Sequence, residues 1–299
     1  DYMKGAIPAL EKSYAEREKA SARKAIIDRI EGALPEKKWD EAFAAGNELF
    51  TKFPNDPTEI HFLISLGQVG LLETYNKNTK YNDQSIRYAK KAIEMIKGGA
   101  APKSNGNFGV FQFEGKKDDV ISALNYAIAH IMFYEKKDQK GSMPYFYEIA
   151  QSPGMFKTDP RVYQAIGIYY IDQAAPIGEE IQKLIAAQSS GTDEEKLARE
   201  NEIKAKIALF NGYTERAIDA YARAAEFAKA DTPAQKTYKE GLAKTVEDLY
   251  KRRFENTNGL AAYKANAVKS PLPDPLSEVK PVADPEAAKP AADSTGTAP

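Results

Sequence analysis

The sequence predicts an all-α protein of about ten to twelve antiparallel helices that stack in pairs. Three observations lead to this prediction. Apolar residues recur at three- and four-residue intervals through most of residues 6–270, which is the period of an amphipathic helix. The stretch YQAIGIYY, residues 163–170, places large side chains and Gly167 along one stripe, where a second helix can approach closely. The composition changes abruptly at Pro271, and helical spacing stops there.

The first half of the chain carries several helical patterns and one long loop. The helical patterns cover residues 6–33, 39–57 with a closing turn, 58–75, 85–97, 119–135 and 142–151. The loop, residues 98–118, is rich in Gly, Asn and Lys, and its Phe108, Phe111 and Phe113 indicate a short extended piece. A loop of this length within a helical array is typically functional or disordered. We expect it to fold back as a lid or to contact a partner.

The second half predicts more helices and then a tail. Helical patterns cover residues 160–188, two segments within 193–228, then 232–254 and 259–268. The dipeptide Asn211-Gly212 is a turn signal, so we expect two helices joined there. Seven of the 17 prolines lie in the final 29 residues, which contain no aromatic residue. Such a segment buries too little apolar surface to offset its ordering entropy. The predicted organisation is a helical domain, residues 1–270, and a disordered Pro/Ala-rich tail, residues 271–299.

Composition argues against several classes of function. The formal net charge is −1, so no excess of basic residues is present to neutralise a nucleic acid. The chain has no cysteine, and its two histidines, His61 and His130, lie far apart without metal-ligand spacing. No apolar run is long enough to insert in a membrane. We therefore expect no catalytic residue, no cofactor and no metal. The start at Asp1 fits a chain from which a secretory signal has been removed.

Three short patterns resemble the tetratricopeptide repeat, a pair of antiparallel helices that stacks into a superhelix. The matching positions, from the strongest pattern to the weakest, are Tyr163, Ile166, Gly167 and Tyr170; Ala217, Tyr221 and Ala224; and Ala42, Leu49 and Pro54. The resemblance extends over residues 23–250 with irregular spacing. It implies a right-handed α-solenoid, and the closing residues resemble those of bacterial exported members. A periplasmic or otherwise extracytoplasmic location is expected, with a cytoplasmic one as the alternative.

The resemblance also implies which residues face a ligand. Ligand-facing positions lie on the concave side of the first helix of each unit, and here they are Gln68, Tyr134, Glu135, Arg161, Gln164 and Asp172. With Phe108, Phe111 and Phe113 they form the predicted partner-binding set. A row of aromatic residues could line the same groove, but core packing is the stronger expectation for most of them. The row comprises Phe133, Tyr134, Tyr145, Tyr147, Tyr163, Tyr169 and Tyr170. His130, within an apolar helix, is likewise expected in the core.

The sequence therefore predicts a non-catalytic scaffold for protein–protein interaction rather than an enzyme. Its partner would be a peptide, another protein or a second copy of the chain, docked in the groove. A second hypothesis is an accessory subunit of a larger envelope, filament or membrane-associated complex. A remote third is a carbohydrate-binding or hydrolytic protein on a helical-repeat frame. That hypothesis requires clustered carboxylates or an exposed aromatic platform, and the sequence shows neither.

Overall fold

The computed structural model describes residues 2–54, 59–100, 107–108, 111–112 and 116–284. The chain divides into two compact units, Asp1–Lys157 and Thr158–Pro299. Apart from one short pair of strands in unit 1, all regular secondary structure of the described residues is helical. The all-α class predicted from the period of apolar residues is therefore confirmed.

Unit 1 contains six α-helices, which pack as adjacent pairs within its described residues. They are α1 (Tyr2–Ala33), α2 (Trp39–Lys52), α3 (Glu59–Thr74), α4 (Asn82–Lys97), α5 (Lys117–His130) and α6 (Gln139–Gln151), with a π-helical turn (Ile131–Glu135) after α5. The central helix is α3, because every residue from 59 to 70 is buried. Gly67 allows close packing there: a Cβ atom on it would lie 3.0 Å from the Cα of Ala89 on α4.

The loop between α4 and α5 contains one short antiparallel pair of strands. Strand β1 (Asn107–Phe108) pairs with β2 (Phe111–Gln112), so that Phe108 is opposite Phe111. The backbone of β1 lies beside α3. The predicted extended piece is thus confirmed at these positions, whereas Phe113 lies outside the described residues. That the loop acts as a lid or contacts a partner stays a prediction.

Unit 2 is built around two long helices that pack side by side in antiparallel directions. Its helices are α7 (Pro160–Ala186), α8 (Asp193–Phe227), α9 (Pro233–Phe254) and α10 (Leu260–Ala267). The antiparallel direction follows from contacts that ascend along α7 and descend along α8. They are Tyr163 with Phe227, Gly167 with Tyr221, Tyr170 with Tyr213 and Gly178 with Phe210. Both α9 and α10 then pack against α8.

One sequence prediction about this helix pair is wrong. The predicted turn at Asn211-Gly212 does not form, because α8 runs without interruption for 35 residues and both of these residues are buried inside it. The repeat-like patterns around Gly167 and Tyr221 lie on α7 and α8. They are the two halves of one pair: a Cβ atom on Gly167 would lie only 2.5 Å from Cδ2 of Tyr221.

The predicted start of the disordered tail is also wrong. Residues 270–284, which we call the strap, lie against α8 and α9, and Leu272 and Val279 are only 6% and 7% exposed. The composition rule failed because a few buried apolar residues and many main-chain hydrogen bonds are enough to order a segment without helical periodicity. The remainder of the predicted tail, residues 285–299, lies outside the described residues.

Replacing Gly167 with alanine tests the close approach of α7 and α8. The added methyl group would overlap the ring of Tyr221, which is 6% exposed and has little room to move. We expect Gly167→Ala to lower the free energy of unfolding by about 1–2 kcal/mol in urea titration, after the intrinsic helix preference of alanine is included.

Gly241→Ala is the matched control within the same unit. Gly241 also lies inside a helix, α9, but a Cβ atom there meets nothing within 4 Å. We expect this variant to gain about 0.5–1 kcal/mol from helix propensity alone. Equal stabilisation of both variants would show that α7 and α8 are not in close contact at Gly167.

Candidate polypeptide-binding face on α8

The residues predicted to face a ligand are divided between the two units. In unit 1, Gln68 is buried in α3, and its Nε2 has no hydrogen-bond partner within the part of the chain that the structure describes. The π-helical turn holds Tyr134 half-buried and Glu135 exposed. Strands β1 and β2 carry Phe108 and Phe111.

Unit 2 carries the other three predicted positions on α7, in different environments. Arg161 is exposed and paired with Asp159, Asp172 is exposed, and Gln164 accepts a 2.6 Å hydrogen bond from the hydroxyl of Tyr238. The bond from Tyr238 ties Gln164 to α9, so this side chain contributes to packing between helices.

Core packing accounts for most of the aromatic row, as expected. Phe133, Tyr163, Tyr169 and Tyr170 are all buried, whereas the rings at positions 134, 145 and 147 are half-buried. Burial raises the pKa of Tyr163 to about 12. His130, which was expected in the core, is only half-buried, and it packs beside tyrosine rings with the centroid of Tyr134 at 4.7 Å. These rings stabilise the helix contacts and do not form an open platform.

Two surface pockets of unit 1 contain charged side chains that are already paired with each other. One, about 310 Å³, lies beside α2 and contains Asp40, whose carboxylate already pairs with Lys80 and accepts a hydrogen bond from Tyr81. The other, about 330 Å³, lies among α4, α5 and α6 and contains the ion pair of Lys97 with Glu148. Among the described residues, no cluster of acidic or histidine side chains is arranged to hold a metal ion. No described helix is long and apolar enough to span a membrane.

The strongest site candidate is the face of α8 on which the strap lies. The strap runs antiparallel to α8, so its later residues contact earlier positions of the helix. The contacts along the helix are Val282 with Ala208 and Asn211, Lys280 with Gly212, Asp274, Ser277 and Glu278 with Arg216, and Ser270 and Pro271 with Arg223. At 1.5 Å per residue this track is about 22 Å long. The strap contains one turn, in which the N–H of Ser277 donates a hydrogen bond to the carbonyl of Asp274. The residues on either side of this turn have no regular secondary structure.

Arg223 is held by the helix and donates its remaining hydrogen bonds to the strap. Its side chain is buried and forms a two-point ion pair with Asp219, one turn earlier, at 2.7 and 3.2 Å. Nη2 also donates to the carbonyl oxygens of Ser270 (2.9 Å) and Pro271 (3.4 Å). Burial raises the pKa of Asp219 although Arg223 opposes the rise. Each N–H group of a buried guanidinium requires a hydrogen-bond acceptor, because a buried donor without one lowers the stability of the fold.

Arg216 contacts the turn of the strap. Nη1 donates to the carbonyl of Asp274 (3.0 Å) and to the hydroxyl of Ser277 (2.9 Å), and Nη2 donates to the carbonyl of Glu278 (2.9 Å). The guanidinium carbon lies 5.8 Å from the ring centroid of Tyr170, within the range of a cation–π contact. Nη1 also lies 3.4 Å from the carbonyl oxygen of Ser277, so the side chain, oriented by an aromatic ring of α7, donates to four atoms of the strap.

Arg253 of α9 repeats the arrangement at the far end. It is 6% exposed, its Nε donates to the carboxylate of Glu215 (2.9 Å), and its Nη2 donates to the carbonyl of Ala283 (3.1 Å). Its Nη1 has no hydrogen-bond partner among the described residues. In both Arg223 and Arg253, a carboxylate of α8 balances the charge of the guanidinium, and Nη2 donates a hydrogen bond to a carbonyl oxygen of the strap.

Asn211 and Gly212 make the closest contact between helix and strap. Nδ2 of Asn211 donates to the carbonyl of Val282 (3.3 Å), and the N–H of Val282 donates to the carbonyl of Ala208 (2.8 Å). A Cβ atom on Gly212 would lie 2.3 Å from the carbonyl oxygen of Lys280. Glycine is required there because the strap backbone occupies the space of a side chain.

Apolar side chains complete the contact. Leu272, Pro275 and Val279 are buried, whereas the leucine between them in sequence, Leu276, is 45% exposed. Burying such side chains contributes about 1.5–3 kcal/mol each. The strap is therefore held by anchors that point inward and by hydrogen bonds to its main chain.

Sequence reasoning missed this face entirely. None of its arginines was among the predicted site residues, and Asn211-Gly212 was expected to form a turn. One signal was available: an Asn-Gly dipeptide inside an otherwise continuous helical pattern also marks a position where another backbone approaches closely. The partner backbone lies about 70 residues later in the chain, so no local pattern could identify it.

Comparison with family models, with curated proteins and with solved structures gave no match for the chain. The assignment of a function therefore rests on the chemistry of the α8 face.

Replacing Gly212 with alanine tests the strap contact. The methyl group would collide with the carbonyl of Lys280, so we expect residues 279–284 to leave the helix while α8 itself gains helix propensity. The amide of Val282 loses its acceptor at Ala208 in that state. Its hydrogen exchange should accelerate at least about tenfold, as local opening becomes easier.

The same Gly241→Ala variant serves as the control, because it adds a methyl group to a helix without meeting the strap. Exchange at Val282 should not change in that variant. Unchanged exchange at Val282 in Gly212→Ala would mean that the strap is not seated on Gly212.

Proposed function

We propose that the protein is a non-catalytic scaffold for protein–protein interaction, in which the α8 face binds an extended polypeptide segment of a partner. The observation that supports this function best is the strap itself. Seven of its carbonyl oxygens, those of Ser270, Pro271, Asp274, Ser277, Glu278, Val282 and Ala283, accept hydrogen bonds from side chains of α8 and α9.

The contacts favour binding of polypeptide over catalysis. Side chains of the face donate to the main chain of the segment, and its carboxylates Glu215 and Asp219 are each paired with an arginine. No carboxylate is thereby left in an open apolar pocket of this face to act as a general acid or base. What the face offers is a row of fixed donors with apolar pockets between them, which is how folded domains bind extended peptides.

In the resting chain the strap itself occupies the face. A covalently attached segment competes at an effective concentration on the order of millimolar. A partner segment would therefore have to displace the strap, and the affinity of the intact chain for it would be lower than that of the open face. The strap is in this sense an internal ligand.

One observation favours the second hypothesis, an accessory subunit of a larger assembly. Ile7, Leu10 and Tyr14 form one stripe on α1 and are 51%, 59% and 68% exposed. An apolar stripe left open on a helix is typical of a surface that contacts another protein. A fixed stoichiometry with one partner, found by native mass spectrometry of purified complexes, would support the subunit function.

We further infer that the helix pairs stack as a right-handed tetratricopeptide-like solenoid and that the protein works outside the cytoplasm. The contact of Gly167 with Tyr221 and the packing of helices as adjacent pairs support the first inference. The absence of cysteine and the Pro/Ala-rich final residues are compatible with the second.

Binding of a peptide to a full-length variant whose strap has been released tests the proposed function. Leu272→Asp with Val279→Asp places charges at both buried anchors and should detach the strap, while the α8 face stays intact. We expect a labelled peptide of residues 268–284 to bind this variant in fluorescence anisotropy. The unmodified chain should bind the same peptide at least about tenfold more weakly, because its own strap competes.

Leu276→Asp is the matched control, since it introduces a charge at an exposed leucine of the same segment. It should behave like the unmodified chain. The proposed function is wrong if the released variant keeps its helical circular dichroism and yet binds no peptide.

A further inference from the structure

We propose that the α8 face selects proline-rich segments of a partner protein, because it reads carbonyl oxygens and provides almost no acceptor for N–H groups. This inference rests on the proposed function and specifies the chemistry of the partner. The strap, with prolines at 271, 273, 275 and 281, is the occupant from which that chemistry is inferred.

The side chains that hold the strap are donors. A guanidinium has five N–H donors and no acceptor, and the contact of Asn211 with the strap is made through its Nδ2 amide group. Within residues 158–284, no N–H group of strap residues 271–281 donates to a helix. Those of Leu276 and Ser277 bond to Asp274 within the turn of the strap. The single N–H of the strap beyond residue 270 that reaches α8 belongs to Val282.

Proline matches such a face because it has a carbonyl but no N–H group. An ordinary residue in place of Pro273 or Pro275 would bring an additional N–H group against a surface that offers it no acceptor. Pro275 is buried and Pro273 is half-buried, whereas Pro271 and Pro281 are exposed. The preference for proline should therefore depend mainly on positions 273 and 275. Proline also restricts the free segment to extended conformations, which lowers the entropic cost of binding.

An acidic partner is the competing explanation of an arginine-rich face, and the contacts disfavour it. Arg216 meets Asp274 and Glu278 through their main-chain carbonyls. The carboxylate of Asp274 accepts the N–H of Leu276 in the strap itself. Moreover, Arg223 and Arg253 are already balanced by carboxylates of α8. Of the three arginines only Arg216 has no carboxylate of the described residues beside it, so the face offers one unbalanced positive charge rather than three.

A panel of peptides tested on the strap-released variant separates these explanations. The parent peptide, residues 268–284, should bind. A peptide with Pro273→Ala and Pro275→Ala should bind at least about tenfold more weakly, because it gains two N–H groups without acceptors. A peptide with Asp274→Asn and Glu278→Gln should bind within about threefold of the parent, and raising salt from about 50 to about 500 mM should change the parent affinity by less than about threefold.

The outcomes are distinct. Absence of binding by the parent peptide would overturn the proposed function and this inference together. Equal binding of the parent and the Pro273→Ala, Pro275→Ala peptide would overturn the inference alone. Loss of binding on neutralising the acids, or at high salt, would show that the face recognises acidic segments instead.

The same selection can be measured without detaching the strap. The chain has no cysteine, so Leu276→Cys provides a single exposed site for a spin label. We expect Pro273→Ala with Pro275→Ala, made in the full chain, to increase the mobility of that label. Pro271→Ala with Pro281→Ala, at exposed positions, should leave the mobility unchanged. Equal mobility in the two pairs would contradict the selection of proline by the face.

Discussion

Unit 2 is organised by the need of buried guanidinium groups for hydrogen-bond acceptors. Arg223 and Arg253 are 5% and 6% exposed, so their N–H groups cannot be satisfied by bulk water. The carboxylate of Asp219 balances the charge of Arg223, and that of Glu215 balances the charge of Arg253. In both arginines Nη2 donates a hydrogen bond to a carbonyl oxygen of the strap. The strap helps to bury these groups and also supplies acceptors for them, and a donor that is buried without an acceptor costs about 1–3 kcal/mol. The helix face and an extended polypeptide therefore form one hydrogen-bonded unit.

The same requirement accounts for features that otherwise conflict with helix preferences. Asn and Gly are both poor residues for the middle of a 35-residue helix. Here Asn211 donates to the strap, and Gly212 leaves room for the carbonyl of Lys280. Their local cost is offset by contacts with a segment far along the chain. That balance is expected where contact with another segment, rather than helix stability, accounts for the residues at these positions.

Much of the fold was predictable from sequence, because the period of apolar residues is a local property. The helices at residues 39–52, 59–74 and 160–186 lie where the pattern placed them. The errors concern contacts between distant segments. A helix break was expected at Asn211-Gly212, and disorder was expected from residue 271. Both expectations are wrong for one reason, which is that the strap and this part of α8 stabilise each other. Similarly, Gly167 and Tyr221 could be recognised as repeat-like, but not as partners across one helix pair. The predicted ligand-facing residues, such as Arg161 and Gln164, lie outside the set that holds the strap.

The most direct test is the distance between the strap and α8 in solution. Cysteines at Glu226, exposed on α8, and at Leu276, exposed in the strap, allow two spin labels on the full chain, which has no cysteine of its own. Double electron–electron resonance should give one narrow distance distribution, and Arg216→Ala with Arg223→Ala should broaden it while the helical circular dichroism is retained. A broad distribution in the parent chain, or one that the arginine replacements leave unchanged, would contradict a strap held by guanidinium–carbonyl hydrogen bonds.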